Sequence, residues 1–302
     1  MNTNQKQILT ETIQRIEGAY APATIRAYQS DFEKFIEHIE TVGDSALPAS
    51  PMNVAEYIVH LSESGLSSAY IRRMIAAISA IHRLNRFADP TKDPDVNIAM
   101  RRMHRKLGRM SKQASGITAP SLEKMLQQTG NDLRGIRNRA MLLLAYEGLL
   151  RRSELVSLLA EDLVIEAENT QGRILLRKSK TDQVAQGRWI GFTGRTAEAI
   201  AHWIESSKIE KGHLFQGINN AGELSGFLCA EQVNRVYKRL AKAAAIPSSE
   251  AHSISGHSLR VGAARDLLTS GADLVKIMSA GRWSKPDTVM RYVEQVQGAF
   301  IR

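Results

Sequence analysis

The sequence has little of what several protein classes require. It carries one cysteine, Cys229, which excludes a disulfide framework and a cysteine-rich zinc site and fits a reducing cytoplasm. No apolar run reaches the roughly 18 residues of a transmembrane helix, and the N-terminal stretch lacks the apolar core of a secretion signal. We therefore expect a cytoplasmic protein without a membrane partner.

Motifs for several chemistries are also missing. There is no GxxxxGK[ST] loop for a nucleotide-driven motor and no Gly-x-Ser-x-Gly elbow for acyl transfer. His252, His257 and Cys229 lack the spacing of zinc ligands, and no acidic cluster suits magnesium. Aromatic residues make up 6% of the chain and form no boxes that would stack RNA bases, which disfavours RNA binding. We expect no metal and no cofactor.

Positive charge is what the sequence has in excess, with a net charge of +9 and a pI of about 9.7. Such an excess favours DNA phosphates as a partner, although composition alone also fits an ordinary basic protein. The densest stretch, residues 101–112, reads RRMHRKLGRMSK and contains no acid. We predict a DNA-facing surface there rather than a merely solvated face. Its proposed residues are Arg72, Arg73, Arg101, Arg102, Arg105 and Lys106.

Apolar residues recur at helical spacing through the first 110 residues, and no strand pattern precedes residue 160. Residues 1 to about 20 read as a polar leader that ends in at most one helical turn. The stretch SKQASGITAP then has the Ser, Gly and Pro content of a linker. We predict a helical domain over 1–112, a linker over 113–118 and a second domain over 119–302. The predicted helices of the first domain are Ala23–Thr41, Pro51 to Gly65, one capped by Ser67, and Val96–Leu107.

The second domain is predicted to be mainly helical, with three short β-like runs separated by polar turns. These runs, Leu163–Ile165, Gly172–Arg177 and Gly187–Phe192, predict a small antiparallel sheet. The fold class is therefore mainly α: a helical N-terminal domain followed by a mixed α/β, mostly helical domain. Predicted helices of this domain cover about 120–128, 132–150, 151–163, 196–206, 229–244, 259–269, 272–280 and 286–297.

Four places put reactive side chains where an element would hold them, and each has a plain alternative. Arg151 and Glu154 share a helix face, which also describes a surface ion pair. The basic turn that contains Lys178 and Lys180 could be a solvated hairpin tip. His257-x-x-Arg260 could be a helix start with a satisfied histidine. Trp283 and Tyr292 could simply be core aromatics.

Taken together, these places resemble the tyrosine recombinase (phage integrase) family over nearly the whole chain. AYEGLLRRSEL over 145–155 is similar to the first motif of the family, and its register selects Arg151 over Arg152. His257-Ser258-Leu259-Arg260 matches the second motif. Trp283 precedes Tyr292 by nine positions, and tryptophan in place of the usual histidine is most similar to the Cre branch. The helical domain is then the core-DNA-binding domain, and the second domain is the catalytic one.

The resemblance implies a nucleophile and the groups that assist it. Tyr292 would attack the scissile phosphorus, and Arg151 and Arg260 would hold the non-bridging oxygens. His257 would hydrogen-bond the phosphate or accept the phenol proton, since a phenol with a pKa near 10 needs such help at neutral pH. Lys180 would protonate the leaving 5′-oxygen.

Two further residues support these groups. Trp283 would pack the site and offer its N–H to the phosphate, and Glu154 would orient His257. The resemblance also implies double-stranded DNA as the target, a homotetramer on two sites, and no need for metal or ATP. The need for an accessory protein stays open.

Departures from the family leave alternatives open. Arg152 occupies a position that is usually apolar, and Lys178 could replace Lys180 as the acid. Few residues follow Tyr292, so we expect a short C-terminal tail or another surface between subunits, and no extra N-terminal DNA-binding domain. A topoisomerase-like nicking and closing enzyme would use the same residues. A DNA-binding protein that no longer cuts is the remaining alternative.

Overall fold

The computed structural model of the chain describes residues 2–109, 114–166, 170–179 and 187–297. The chain divides into two compact units, Met1–Lys112 and Gln113–Arg302, each with its own hydrophobic core. Among the helices of the described ranges, none is long and apolar enough to cross a membrane.

The first unit is all helical over its described residues, as predicted. Hydroxyl caps define two of its helix starts, because Ser50 accepts the Asn53 N–H at 3.2 Å and Ser67 accepts the Tyr70 N–H at 3.2 Å. A 3-10 turn over Pro90–Lys92 precedes the last helix. The helices are α1 (Asn2–Arg15), α2 (Pro22–Thr41), α3 (Pro51–Glu63), α4 (Ser68–Leu84) and α5 (Pro94–Leu107).

Helix α1 corrects the expectation of a polar leader over residues 1 to about 20. Leu9, Ile13 and Ile16 are buried in the core of the first unit. Leu9 and Ile13 share one face of α1, and Ile16 extends that face one residue beyond the helix end. Burial against the neighbouring helices therefore stabilises a segment that is otherwise polar. The many polar residues between them concealed this pattern.

The second unit combines helices with a small antiparallel sheet, which confirms the predicted fold class. Within its described residues three strands are ordered β1-β2-β3, with Leu163 opposite Ile174 and Gly172 opposite Phe192. The strands are β1 (Leu163–Ile165), β2 (Gln171–Leu176) and β3 (Arg188–Thr193). The helices are α6 (Ala119–Gln127), α7 (Leu133–Glu147), α8 (Arg152–Val156), α9 (Gly194–Ser207), α10 (Ala230–Ala243), α11 (Ser248–Ala251), α12 (Ser258–Thr269), α13 (Leu274–Gly281) and α14 (Pro286–Gln297).

The described part of the predicted linker lies along the second unit. We call residues 114–119 the strap. The Ile117 N–H donates to the Ser258 carbonyl at 2.8 Å, and the Ala119 N–H donates to the Asp266 carboxylate at 2.7 Å. Ile117 itself is 1% exposed. The strap is therefore hydrogen-bonded to both ends of α12.

Candidate functional site

The turn between α7 and α8 positions Arg151. Leu149 adopts a left-handed conformation (φ 45°) just after α7, and the next N–H, that of Leu150, donates to the Ala145 carbonyl at 3.0 Å. Arg151 then caps α8, and its backbone N–H donates to the Glu154 carboxylate at 3.0 Å. The Arg151 guanidinium also donates to the other oxygen of Glu154. The sequence prediction that Arg151 and Glu154 share a helix face is therefore realised as a direct ion pair, with Glu154 buried.

Glu154 holds a second arginine that the sequence analysis did not assign. Arg282 follows α13 in a left-handed conformation (φ 57°), and its Nη2 lies 3.0 Å from Glu154 Oε2. Its guanidinium also donates to the carbonyls of Gly148 and Leu149 at 3.0 and 2.9 Å. We expected Glu154 to orient His257. The structure instead directs its carboxylate to Arg151 and Arg282, because two guanidinium groups lie within reach.

Helix α12 carries His257 and Arg260 at its start. His257 is the N-cap residue and is exposed, whereas Arg260 is 2% exposed. Arg260 donates to the Leu149 carbonyl at 2.6 Å and to the Gly281 carbonyl. A guanidinium has five N–H groups, so further donors remain for an oxyanion.

Trp283 joins Arg260 to Tyr292. The Arg260 guanidinium carbon lies 4.3 Å from the Trp283 ring centroid, and the centroids of Trp283 and Tyr292 are 5.8 Å apart. The first contact is a cation–π interaction and the second a tilted aromatic pair. A side chain at Gly281 would clash with the indole, since a Cβ there would lie 1.9 Å from the ring. Glycine is therefore required beneath Trp283.

Positive charge dominates this cluster. Burial lowers the pKa of Arg260 to about 9, helped by Arg151 and Arg282, and the group stays cationic at neutral pH. Partial desolvation of the His257 ring, followed by the charges of Arg260, Arg151 and Arg152, lowers the pKa of His257, so the imidazole is neutral near pH 7.

Glu154 responds in the opposite sense to its surroundings. Burial alone would raise the pKa of its carboxyl, but the Arg151 N–H and the charges of Arg282 and Arg151 outweigh burial and hold the pKa below its usual value. One carboxylate thus lies among three guanidinium groups, those of Arg151, Arg282 and Arg260. The excess positive charge suits a phosphodiester.

The proposed lysine acid is the part of the site without a described position. Lys180 lies outside the described residues. Lys178, the alternative acid, is exposed shortly after β2. The choice between them stays a sequence prediction.

The predicted DNA-facing residues lie on α4 and α5. Val96, Ala99 and Met103 bury one face of α5, and the residues exposed on its remaining surface are Arg101, Arg102, Arg105 and Lys106. On α4, Arg72 is exposed. Arg73 is ion-paired with buried Asp31 at 2.9 Å, so its charge is partly neutralised within the first unit.

Comparisons with known proteins give one family and a consistent fold. A family model described as "Phage integrase family" matches residues 116–297, and one described as "Phage integrase, N-terminal SAM-like domain" matches residues 13–88. The chain is similar to an integrase/recombinase XerD homolog of Selenomonas ruminantium, at 28% identity over 97% of this chain and 87% of the relative. It is also similar to the recombinase Cre of Escherichia phage P1, at 26% identity over 84% and 80%.

Two solved structures share the fold at low sequence identity. One is the XerH site-specific recombinase bound to a palindromic difH substrate, with a TM-score of 0.67, 18% identity, and coverage of 91% of this chain and 78% of that chain. The other is the Tn1549 transposon integrase with circular intermediate DNA, with a TM-score of 0.66, 18% identity, and coverage of 95% and 94%.

Proposed function

Since the chain belongs to the phage integrase family and is a tyrosine-type site-specific recombinase, we propose that it cleaves and rejoins DNA through a 3′-phosphotyrosyl intermediate at Tyr292. The single observation that carries this proposal is the contact series from Arg260 through Trp283 to Tyr292. It brings a phenol and a cationic oxyanion-binding group to one place.

Tyr292 supplies the nucleophile in the proposed reaction. Its oxygen attacks the scissile phosphorus, the bond from phosphorus to the 5′-oxygen breaks, and a 3′-phosphotyrosyl link and a 5′-hydroxyl result. His257 accepts the phenol proton or hydrogen-bonds the phosphate, since its lowered pKa keeps the ring neutral. Lys180 donates a proton to the departing 5′-oxygen.

The arginines stabilise the charge that develops on the phosphate. Arg151 and Arg260 bind the non-bridging oxygens of the pentacoordinate state, and Trp283 packs against Arg260 and offers its indole N–H. Positive charge from these side chains takes the place of a metal ion, so the reaction needs no metal. It needs no ATP either, because the energy of the broken bond is kept in the phosphotyrosine until a second strand attacks.

Double-stranded DNA is the proposed substrate and partner. The relatives XerH and the Tn1549 integrase were solved on DNA, and the net charge of +9 suits a polyanion. We propose that residues 1–112 and 119–302 are the core-binding and catalytic domains, joined by 113–118. Four protomers would act on two sites, in the reducing cytoplasm that fits a single cysteine.

A covalent-trapping assay tests the proposal. The protein is incubated with a nicked duplex of candidate target repeats in EDTA, and a denaturing gel detects protein bound to DNA. We expect a shifted band from the wild type and from Tyr20→Phe, which removes the hydroxyl of an exposed tyrosine in the first unit. Tyr292→Phe should bind the duplex and give no such band.

Other outcomes would identify a different activity. A band that persists in Tyr292→Phe would assign the nucleophile elsewhere. Covalent capture on any single site without strand exchange between paired sites would indicate a nicking and closing enzyme. Tight binding with no capture on any repeat would leave a DNA-binding protein that does not cut.

A further inference from the structure

A small cavity in the second unit is lined by an unusual concentration of arginine. It lies between α7 and α10 and measures about 230 Å³. Arg134 and Arg137 line it from α7, and Arg235 and Arg239 line it from α10. Among the described residues that line it there is no aspartate or glutamate. Four cations thus surround one cavity without an acidic side chain among them.

The two arginines of α7 are fixed in place by the fold. The Arg137 guanidinium donates to the Gln216 carbonyl at 2.9 Å and to Asn138 Oδ1 at 2.9 Å, and it is 5% exposed. Arg134 donates to the Ile218 carbonyl at 3.2 Å. Neutral oxygens accept these hydrogen bonds, so the bonds fix the positions of the two guanidinium groups without adding negative charge.

The two arginines of α10 add charge that is free to meet a ligand. Arg235 and Arg239 are four residues apart, which places them on one face of the helix, and both are exposed. Neither makes an ion pair within the described parts of the chain. Burial and the nearby charges of Arg239 and Arg134 lower the pKa of Arg137 to about 10, and Asp132 only partly opposes them.

Gln232 gives the same face a neutral donor. Its Oε1 accepts the Cys229 N–H at 3.0 Å, which leaves the amide NH2 group for another acceptor. The lining therefore offers many hydrogen-bond donors and few hydrogen-bond acceptors. Cavities for organic ligands are about 300 to 1,000 Å³, so this one suits a smaller group.

We infer that this cavity binds a single phosphate-type oxyanion. The exposed Arg235 and Arg239 bind it from the open side, and the buried Arg137 contributes positive charge from the inner side. The cavity is distinct from the tyrosine site. Arg134 lies at the start of α7, about 20 Å along the helix axis from its end, and Arg151 of the tyrosine site follows that end. The occupant is either a free phosphate or a backbone phosphate of bound DNA. This inference does not rest on the cleavage reaction.

Calorimetric titration of the full chain with inorganic phosphate, at ionic strength held constant with chloride, tests the inference. The informative variant is Arg235→Gln with Arg239→Gln. The control is Lys238→Gln with Lys242→Gln, which removes the same charge at the same spacing from exposed positions of α10 outside the cavity. Melting temperatures without phosphate check that both variants fold.

We expect saturable binding to the wild type, a dissociation constant about tenfold or more higher in the arginine variant, and a change below about twofold in the lysine control. Equal affinities in all three proteins, or no saturable binding to the wild type, would overturn the inference. Repeating the titration with saturating duplex separates the two sources. Displacement of phosphate identifies a DNA phosphate as the occupant, and an unchanged affinity identifies a free ion.

Discussion

Arg282 and Glu154 form a buried ion pair, with Arg282 Nη2 3.0 Å from Glu154 Oε2. The same nitrogen donates to the Leu149 carbonyl, which also accepts from Arg260. Glu154 in turn holds Arg151. Arg282 therefore connects the turn that carries Arg151 to the segment that carries Trp283, and it acts as a positioning residue.

Replacing Arg282 should destabilise the protein and slow cleavage without weakening DNA binding. Arg282→Ala removes one partner of a buried pair, so we expect the free energy of unfolding to fall by about 3 kcal/mol in urea denaturation. Arg282→Gly loses the same pair but relieves the left-handed backbone, and should be about 1 kcal/mol more stable than the alanine variant. Arg282→Lys should recover part of the covalent capture. An alanine variant as stable as the wild type would contradict this prediction.

The positive charge near His257 should set the pH at which covalent capture falls on acidification. Arg152 is one of the cations that lower the pKa of His257, so Arg152→Gln should raise that pKa towards about 6.5. Because neutral imidazole is the proposed base, the fall in single-turnover capture on acidification should begin at higher pH in the variant. Imidazole NMR titration measures the pKa directly.

The same shift has a sign for stability. The folded-state pKa of His257 lies below its unfolded value, so its contribution to stability is complete above about pH 6.5 and is lost as pH falls through the folded pKa. Lys276→Gln, at an exposed site on α13, is the control for Arg152→Gln and should leave the pH profile of covalent capture unchanged. A profile that moves equally in both variants would refute a local effect of Arg152.

The exposed cations of α5 should contribute to the salt dependence of DNA binding. Replacing Arg101, Arg102 and Arg105 with alanine should reduce the slope of log K against log salt by about 2 to 3, since each phosphate contact contributes about 0.9. Fluorescence anisotropy from low to high salt measures the slope. The matched control replaces Arg83 and Lys92 with alanine and Arg86, which has a φ of 61°, with glycine. It removes three positive charges from exposed positions of the same unit. An unchanged slope in the α5 variant would make this helix an ordinary solvated surface.

Gly262 should be essential for the contact between the strap and α12. A Cβ at Gly262 would lie 1.8 Å from the Ile117 carbonyl oxygen. Gly262→Ala should therefore lower the free energy of unfolding by about 1 to 3 kcal/mol, the range for overpacking. Gly191→Ala is the control, because a Cβ there would meet none of the described atoms within 4 Å. Equal stability of the two variants would contradict the prediction.

Local patterns predicted the elements well, and long-range partners account for the differences. The spacing of His257 and Arg260 indicated one helix face, and the three β-like runs gave the sheet. Helix α1 was missed because Leu9, Ile13 and Ile16 are sparse in a polar segment and gain their stability from the core they join. Helix propensity in such a segment says little until its partners are known.

The pairing of Arg282 with Glu154 could not be read from the sequence in the same way. The two residues are 128 positions apart, and only the fold brings them together. The available sequence signal for Arg282 was its position between Trp283 and Gly281, where glycine is required. It did not identify a partner, since Glu154 already had Arg151 at the helical spacing that local rules recognise.

The strap has a mechanical consequence for the second unit. Its hydrogen bonds to Ser258 and Asp266 lie near the two ends of the helix that carries Arg260. A pulling force on the backbone at residue 114 would load the hydrogen bond from the Ser115 N–H to the Ser253 carbonyl and then the bonds to Ser258 and Asp266. Tension at this point of the polypeptide would therefore be transmitted to the segment before α12 and then to α12 itself, which holds His257 and Arg260.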